Sequence, residues 1–148
     1  MKKSKTWLKI GIAAVVVLVM LAEALLIWNY APKKPFADLR EEDIAAVYVL
    51  TSETKTFAVE QEQWSGVFVR GLQQVTLYGR LPDDATAWYF DSPILFRLEL
   101  KNGKSYLIHP LSAIVRINGK VYETNYLGWA SVQPLIAQWW FDNALEQS

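Results

Sequence analysis

The chain has 148 residues, with 15 Lys and Arg against 15 Asp and Glu for a formal net charge of zero at pH 7, and it contains no cysteine. Without a thiol there is no disulfide, no thiolate metal site, no cysteine nucleophile and no lipidated cysteine. The charge balance hides a division: residues 1–35 hold six Lys and one Glu, whereas residues 36–148 hold nine Lys and Arg against fourteen Asp and Glu, a net of minus five. An acidic segment of this kind argues against nucleic acid as a partner and against electrostatic docking on anionic lipid.

The chain opens with Lys2, Lys3, Lys5 and Lys9, and residues 10–28 then form a nearly unbroken apolar run. A helix rises about 1.5 Å per residue and a bilayer core is about 30 Å thick, so about 20 apolar residues suffice to cross it. Trp7 and Trp28 bracket the run at a separation of 21 residues. That spacing amounts to about 31 Å along a helix and sets one indole at each membrane interface, where amphipathic rings prefer to sit. Only Lys33 and Lys34 follow the run at short range, so the positive-inside bias leaves the N-terminus in the cytoplasm. The organisation expected is a basic cytoplasmic tail over 1–9, a signal-anchor helix over 10–28 in the cell membrane, a linker over 29–35 and an extracytoplasmic domain over 36–148. A cleaved signal peptide is the rival reading, because residues 10–21 have the length of its apolar region and Ala22-Glu23-Ala24 reads as a small-x-small cleavage site. Cleavage there would leave Leu25-Leu26-Ile27-Trp28 as an exposed apolar start, which favours a retained anchor.

Glu23 is the one charge inside the span, about 7–8 Å from the level of Trp28. An intramembrane carboxylate is a candidate for contact with a second membrane helix, since burying it alone is costly. The bland alternative is that its shallow depth lets it reach the outer interface. No Gly-x-x-x-Gly pattern marks a helix-packing face in the run.

Beyond Pro32-Lys33-Lys34-Pro35, which suits an extended spacer, the pattern turns to strands. Residues 44–50 are apolar and partly β-branched, and residues 55–59 follow after the polar turn 51–54. Trp64, Val67, Phe68 and Leu72 recur at helical spacing and predict one amphipathic helix, weakened by Gly66 and Gly71. Two Asn-Gly pairs, at 102–103 and 118–119, predict two-residue hairpin loops, because Asn-Gly supplies positive φ at both central positions. In the first hairpin that register sets Phe96, Leu98 and Leu100 on one face with Ser105, Leu107 and His109. In the second it sets Val115 and Ile117 with Tyr122, opposite Arg116 and Glu123. Val132, Leu135, Ile136, Trp139 and Trp140 close the chain at helical spacing behind Ser131 as N-cap, with Pro134 tolerated in the first turn. The fold class expected is α+β: an N-terminal transmembrane helix, then a mainly antiparallel sheet of about six to seven strands packed by two helices.

The run 117–126, Ile-Asn-Gly-Lys-Val-Tyr-Glu-Thr-Asn-Tyr, together with Asp43-Ile44 opening a strand and residues 75–78 after a helix, resembles a family of small extracytoplasmic proteins of Gram-positive bacteria, mostly lipoproteins of uncharacterised role. The similarity spans about residues 36–145 and its motifs are structural. It implies location and fold, with a helix replacing the lipidated cysteine, and it carries over no catalytic residue.

Candidate chemistry is sparse, and no catalytic set, metal site or cofactor is expected. His109 is the only histidine, and a catalytic imidazole needs an orienting carboxylate and a nucleophile or water beside it. A structural, hydrogen-bonded histidine is the commoner case. Asp83-Asp84 lacks the ligand spacing of a calcium loop and reads as a solvated turn after Pro82. Asp91 and Glu99 qualify as paired acids for glycoside cleavage only at a defined separation. Trp88-Tyr89-Phe90 is more informative: strand neighbours alternate faces, so one of the three faces away from the core unless a second layer covers it. An exposed Trp or Tyr there is a natural anchor for a protein or sugar. The leading expectation is a membrane-anchored, non-enzymatic domain that binds a protein partner or envelope component. An accessory subunit of a membrane complex, using Glu23, is second, and an envelope-acting hydrolase third.

Overall fold

The computed structural model describes residues 2–50, 55–84, 95–111 and 113–145. The chain divides into two compact units, Met1–Ala31 and Pro32–Ser148.

The first unit is a single helix, α1 (Lys2–Tyr30), of 29 residues, about 43 Å long. It runs past both ends of the apolar stretch because nothing breaks it before Pro32, which disfavours helical geometry in the residue ahead of it. The segment Lys3–Trp28 is long and apolar enough to cross a membrane, and none of it is buried against protein.

The second unit is α+β. Its strands are β1 (Ile44–Leu50), β2 (Thr56–Val59), β3 (Leu77–Leu81), β4 (Leu95–Leu100), β5 (Ser105–Leu111), β6 (Ile114–Ile117) and β7 (Lys120–Thr124). They form one seven-stranded sheet in the order β2-β1-β4-β5-β6-β7-β3, and every pairing between neighbours is antiparallel. The helices are α2 (Gln61–Trp64), α3 (Val67–Gln73), α4 (Tyr126–Trp129) and α5 (Val132–Leu145). Alternation along the strands aims Val47, Val49, Phe96, Leu98, Ile108 and Val115 at one face, and all six are buried. Phe68 and Leu72 of α3, with Val132, Ile136 and Trp139 of α5, complete that core.

Two expectations are corrected. The single helix expected around residues 64–72 is two, α2 and α3. Ser65 is extended and Gly66 sits at φ 73°, so the chain turns a corner there that only glycine enters without strain. The corner is clamped by the Gly66 N–H donating to Glu41 Oε1 at 2.6 Å. The β4–β5 loop is also one residue longer than a two-residue turn. Gly103 N–H donates to Leu100 O at 3.0 Å, Leu100 N–H donates to Lys104 O at 2.9 Å, and only Gly103 has positive φ. This is a three-residue loop with a glycine bulge, and the extra residue moves the register so that Phe96 faces Ile108 and Leu98 faces Tyr106. A one-residue shift exchanges the faces of a strand. His109, expected beside Phe96, therefore lies on the opposite face, paired across strands with Arg116, and is buried there together with Val121.

β6 and β7 are joined by Asn118-Gly119, at φ 49° and 81°. The Asn118 side chain also accepts from Leu107 N–H at 2.7 Å and donates to Ser105 O at 3.2 Å, tying the turn to β5. Asn118→Ala places a Cβ residue without side-chain bonds at left-handed φ, which costs about 1–2 kcal/mol. Urea denaturation of the full chain in detergent micelles is expected to show that loss, with Asn118→Gly losing less because glycine takes positive φ freely.

Candidate functional site

A groove of about 610 Å³ opens between the segment before β1 and the β4–β5 hairpin, lined by Phe36, Asp38, Glu42, Lys101, Lys104 and Tyr106 among others. Phe36 is buried and packs edge-on against Tyr106, with ring centroids 5.3 Å apart. One wall is a 3₁₀ turn, Glu41–Asp43, knit by Arg40: its guanidinium lies 3.2 Å from Glu42 Oε1 and 3.5 Å from Asp43 Oδ2, and its N–H donates to Asp43 Oδ2 at 3.0 Å. The Lys101 N–H donates to Asp43 O at 2.9 Å and joins this wall to the hairpin. With Glu42 and Asp43 engaged by Arg40, Asp38 on one wall and Lys101 and Lys104 on the other have no carboxylate–cation pair among the described residues. A smaller hollow of about 250 Å³, which includes Leu77, Lys120 and Tyr122 in its lining, adjoins the other side of the Phe36–Tyr106 pair. The larger groove thus combines an aromatic pair with side chains of both charge signs. Among the described residues no three His, Asp or Glu side chains come together in a metal-binding arrangement.

At the other end of β7 stands a second built feature, the four-residue helix α4. Trp129 is fully buried, and its Nε1–H donates to Thr124 Oγ1 at 3.0 Å, whose hydroxyl in turn donates to Thr76 O at 2.8 Å. Asn125 Oδ1 accepts from Thr76 N–H at 2.8 Å, and Asn125 Nδ2 donates to Gln74 O at 3.1 Å. Gly128 is wedged against the same wall, where an added Cβ would lie 2.7 Å from Asn125 Oδ1 and 2.9 Å from Val75 Cα. These contacts leave Tyr126 and Leu127 projecting outward at 59% and 76% exposure.

Of the residues singled out in the sequence, Trp88, Tyr89, Phe90 and Asp91 lie outside the described residues. Trp7, Glu23 and Trp28 all lie exposed along α1. Asp83 pairs with Arg80 at 3.4 Å, as the charge of a turn, and Glu99 pairs with Arg97 at 3.1 Å. The groove and the α4 corner are not prominent in the sequence. Phe36 and Tyr106 meet only through the fold, whereas α4 did leave one trace: residues 124–141 contain no charged side chain. No family model, curated protein or solved structure matches the chain.

Proposed function

We propose that the chain is a single-pass protein of the cell membrane, with α1 as its anchor, its N-terminus in the cytoplasm, and a non-enzymatic extracytoplasmic domain that captures a protein partner or an envelope component. The observation that carries the reading is the helix Lys3–Trp28, long and apolar enough to cross a membrane and not buried against protein. Lys2, Lys3, Lys5 and Lys9, ahead of the apolar run 10–28, support the orientation. The groove beside Tyr106, at about 610 Å³, falls in the size range of ligand sites, and its mixed charges and aromatic ring suit a ligand that is itself part polar and part apolar. Trp88, Tyr89 and Phe90 are the sequence's own candidates for a further anchor. Glu23 favours a second reading, in which α1 packs in a larger membrane complex.

An arginine at the middle of a transmembrane helix costs about 2.5–3.5 kcal/mol on the insertion scale. Leu18→Arg is therefore expected to move the full chain from the carbonate-resistant membrane fraction toward the carbonate-extracted one. Extraction of the unsubstituted chain by carbonate would remove the anchor from the account. Glu23→Ala is expected to leave anchoring intact, and a loss of co-purifying membrane subunits in that variant would select the second reading.

A further inference from the structure

We propose that the corner formed by α4 and the start of β3 dips into the headgroup layer of the same membrane, with Tyr126 and Leu127 as the inserted pair; this rests on α1 being a membrane anchor. Three observations converge on it.

The first is exposure without strain relief. Leu127 and Tyr126 project from a helix anchored by the buried Trp129, the close fit of Gly128 and the two side-chain bonds of Asn125. A tip fixed in this way cannot fold its apolar side chains back onto the domain. A Tyr-Leu pair has the composition of an interfacial contact, with a polar tip on one ring and an aliphatic neighbour.

The second is the absence of charge. The two stretches that build this corner, residues 71–79 and 124–141, contain no Asp, Glu, Lys or Arg. The fourteen acidic residues of the domain lie outside these two stretches, with Glu123 and Asp142 flanking the second. The contact is apolar, which is compatible with a domain whose net charge argues against electrostatic docking.

The third is the tether. The last helical residue of α1 is Tyr30, and at Lys33 the chain is already paired with the sheet edge: Lys33 N–H donates to Leu77 O at 2.8 Å and Leu77 N–H donates to Lys33 O at 2.7 Å. Three residues span at most about 10 Å. Leu77 faces Thr124 on β7, so Lys33, Leu77 and Thr124 sit on successive strands about 4.8 Å apart, and α4 starts two residues after Thr124. The chain thus enters the domain beside its uncharged corner.

The chain lacks cysteine, so single reporter sites can be introduced cleanly. The full chain carrying Leu127→Cys, Asn102→Cys or Val19→Cys, each labelled with an environment-sensitive fluorophore, is reconstituted into phosphatidylcholine vesicles containing phosphatidylglycerol and lipid brominated on its acyl chains. The expected result is strong quenching at residue 19, blue-shifted emission with clear quenching at residue 127, from an insertion of about 5–10 Å, and water-like emission without quenching at residue 102. Tyr126→Cys serves as an independent second site and is expected to follow residue 127. Quenching at 19 with water-like emission at both 126 and 127 overturns this inference while leaving the anchor standing. A blue shift at 127 without lipid quenching means that protein covers the corner, and it also overturns the inference. No quenching at 19 overturns both.

Discussion

Replacing Trp129 by alanine is expected to lower the stability of the domain by about 3–5 kcal/mol, the range for removing a large aromatic from a packed core. Trp129 is fully buried, and its indole N–H is the outer link of a chain that runs through the Thr124 hydroxyl to Thr76 O. That chain joins α4 to the turn between α3 and β3 and to the end of β7, segments far apart in sequence. Alanine opens a cavity and removes the link at once. Trp129→Phe separates the two effects: it keeps most of the volume and gives up one hydrogen bond, worth about 0.5–1.5 kcal/mol, so its loss is expected to fall well below that of alanine. Urea unfolding of the full chain in detergent micelles reads the difference. Equal losses for Phe and Ala would show that volume at this site matters little.

The second large effect is expected at Phe68. It is fully buried where α3, α5 and the sheet meet, edge-on to Phe96 at 5.5 Å between centroids and tilted against Trp139 at 5.2 Å. Phe68→Ala is expected to cost about 3–5 kcal/mol, from lost burial plus the cavity left behind. Aromatic pairs of this geometry add about 0.5–1.5 kcal/mol each beyond area burial, so Phe68→Leu is expected to recover much, but not all, of the loss. The same denaturation series tests it, and a Phe68→Leu variant as unstable as Phe68→Ala would contradict the assignment of specific ring packing.

Much of this fold is legible in the sequence where a segment is long and its pattern regular. The β-branched run of β1 and the apolar repeat of α5 both declare themselves, since a run of seven and a helix of 14 residues average over local accidents. The paired helices α2 and α3 are not, because the apolar spacing 64, 67, 68, 72 continues through Gly66 as if the helix did. Only the positive φ of Gly66, fixed by the distant Glu41, reveals the break. The first hairpin shows a different limit. An Asn-Gly pair suits a two-residue turn and also a three-residue loop with a glycine bulge, and the two differ by the one residue that decides which face His109 takes. The groove is less legible still. Phe36 and Tyr106 belong to segments whose meeting depends on the whole strand order, and no local pattern encodes their contact. α4 is too short for any periodicity, and its only sequence signal is a long uncharged stretch around a tryptophan.

Thiol accessibility in intact cells distinguishes a membrane-spanning α1 with the domain outside from the alternatives. In this cysteine-free chain, Asn102→Cys on the β4–β5 loop and Ser4→Cys near the N-terminus each offer one thiol to a membrane-impermeant maleimide. Residue 102 is expected to be labelled in intact cells, and residue 4 only after the membrane is permeabilised. Labelling of residue 4 but not of residue 102 in intact cells would reverse the orientation, and recovery of the labelled chain in the soluble fraction would contradict the anchor itself.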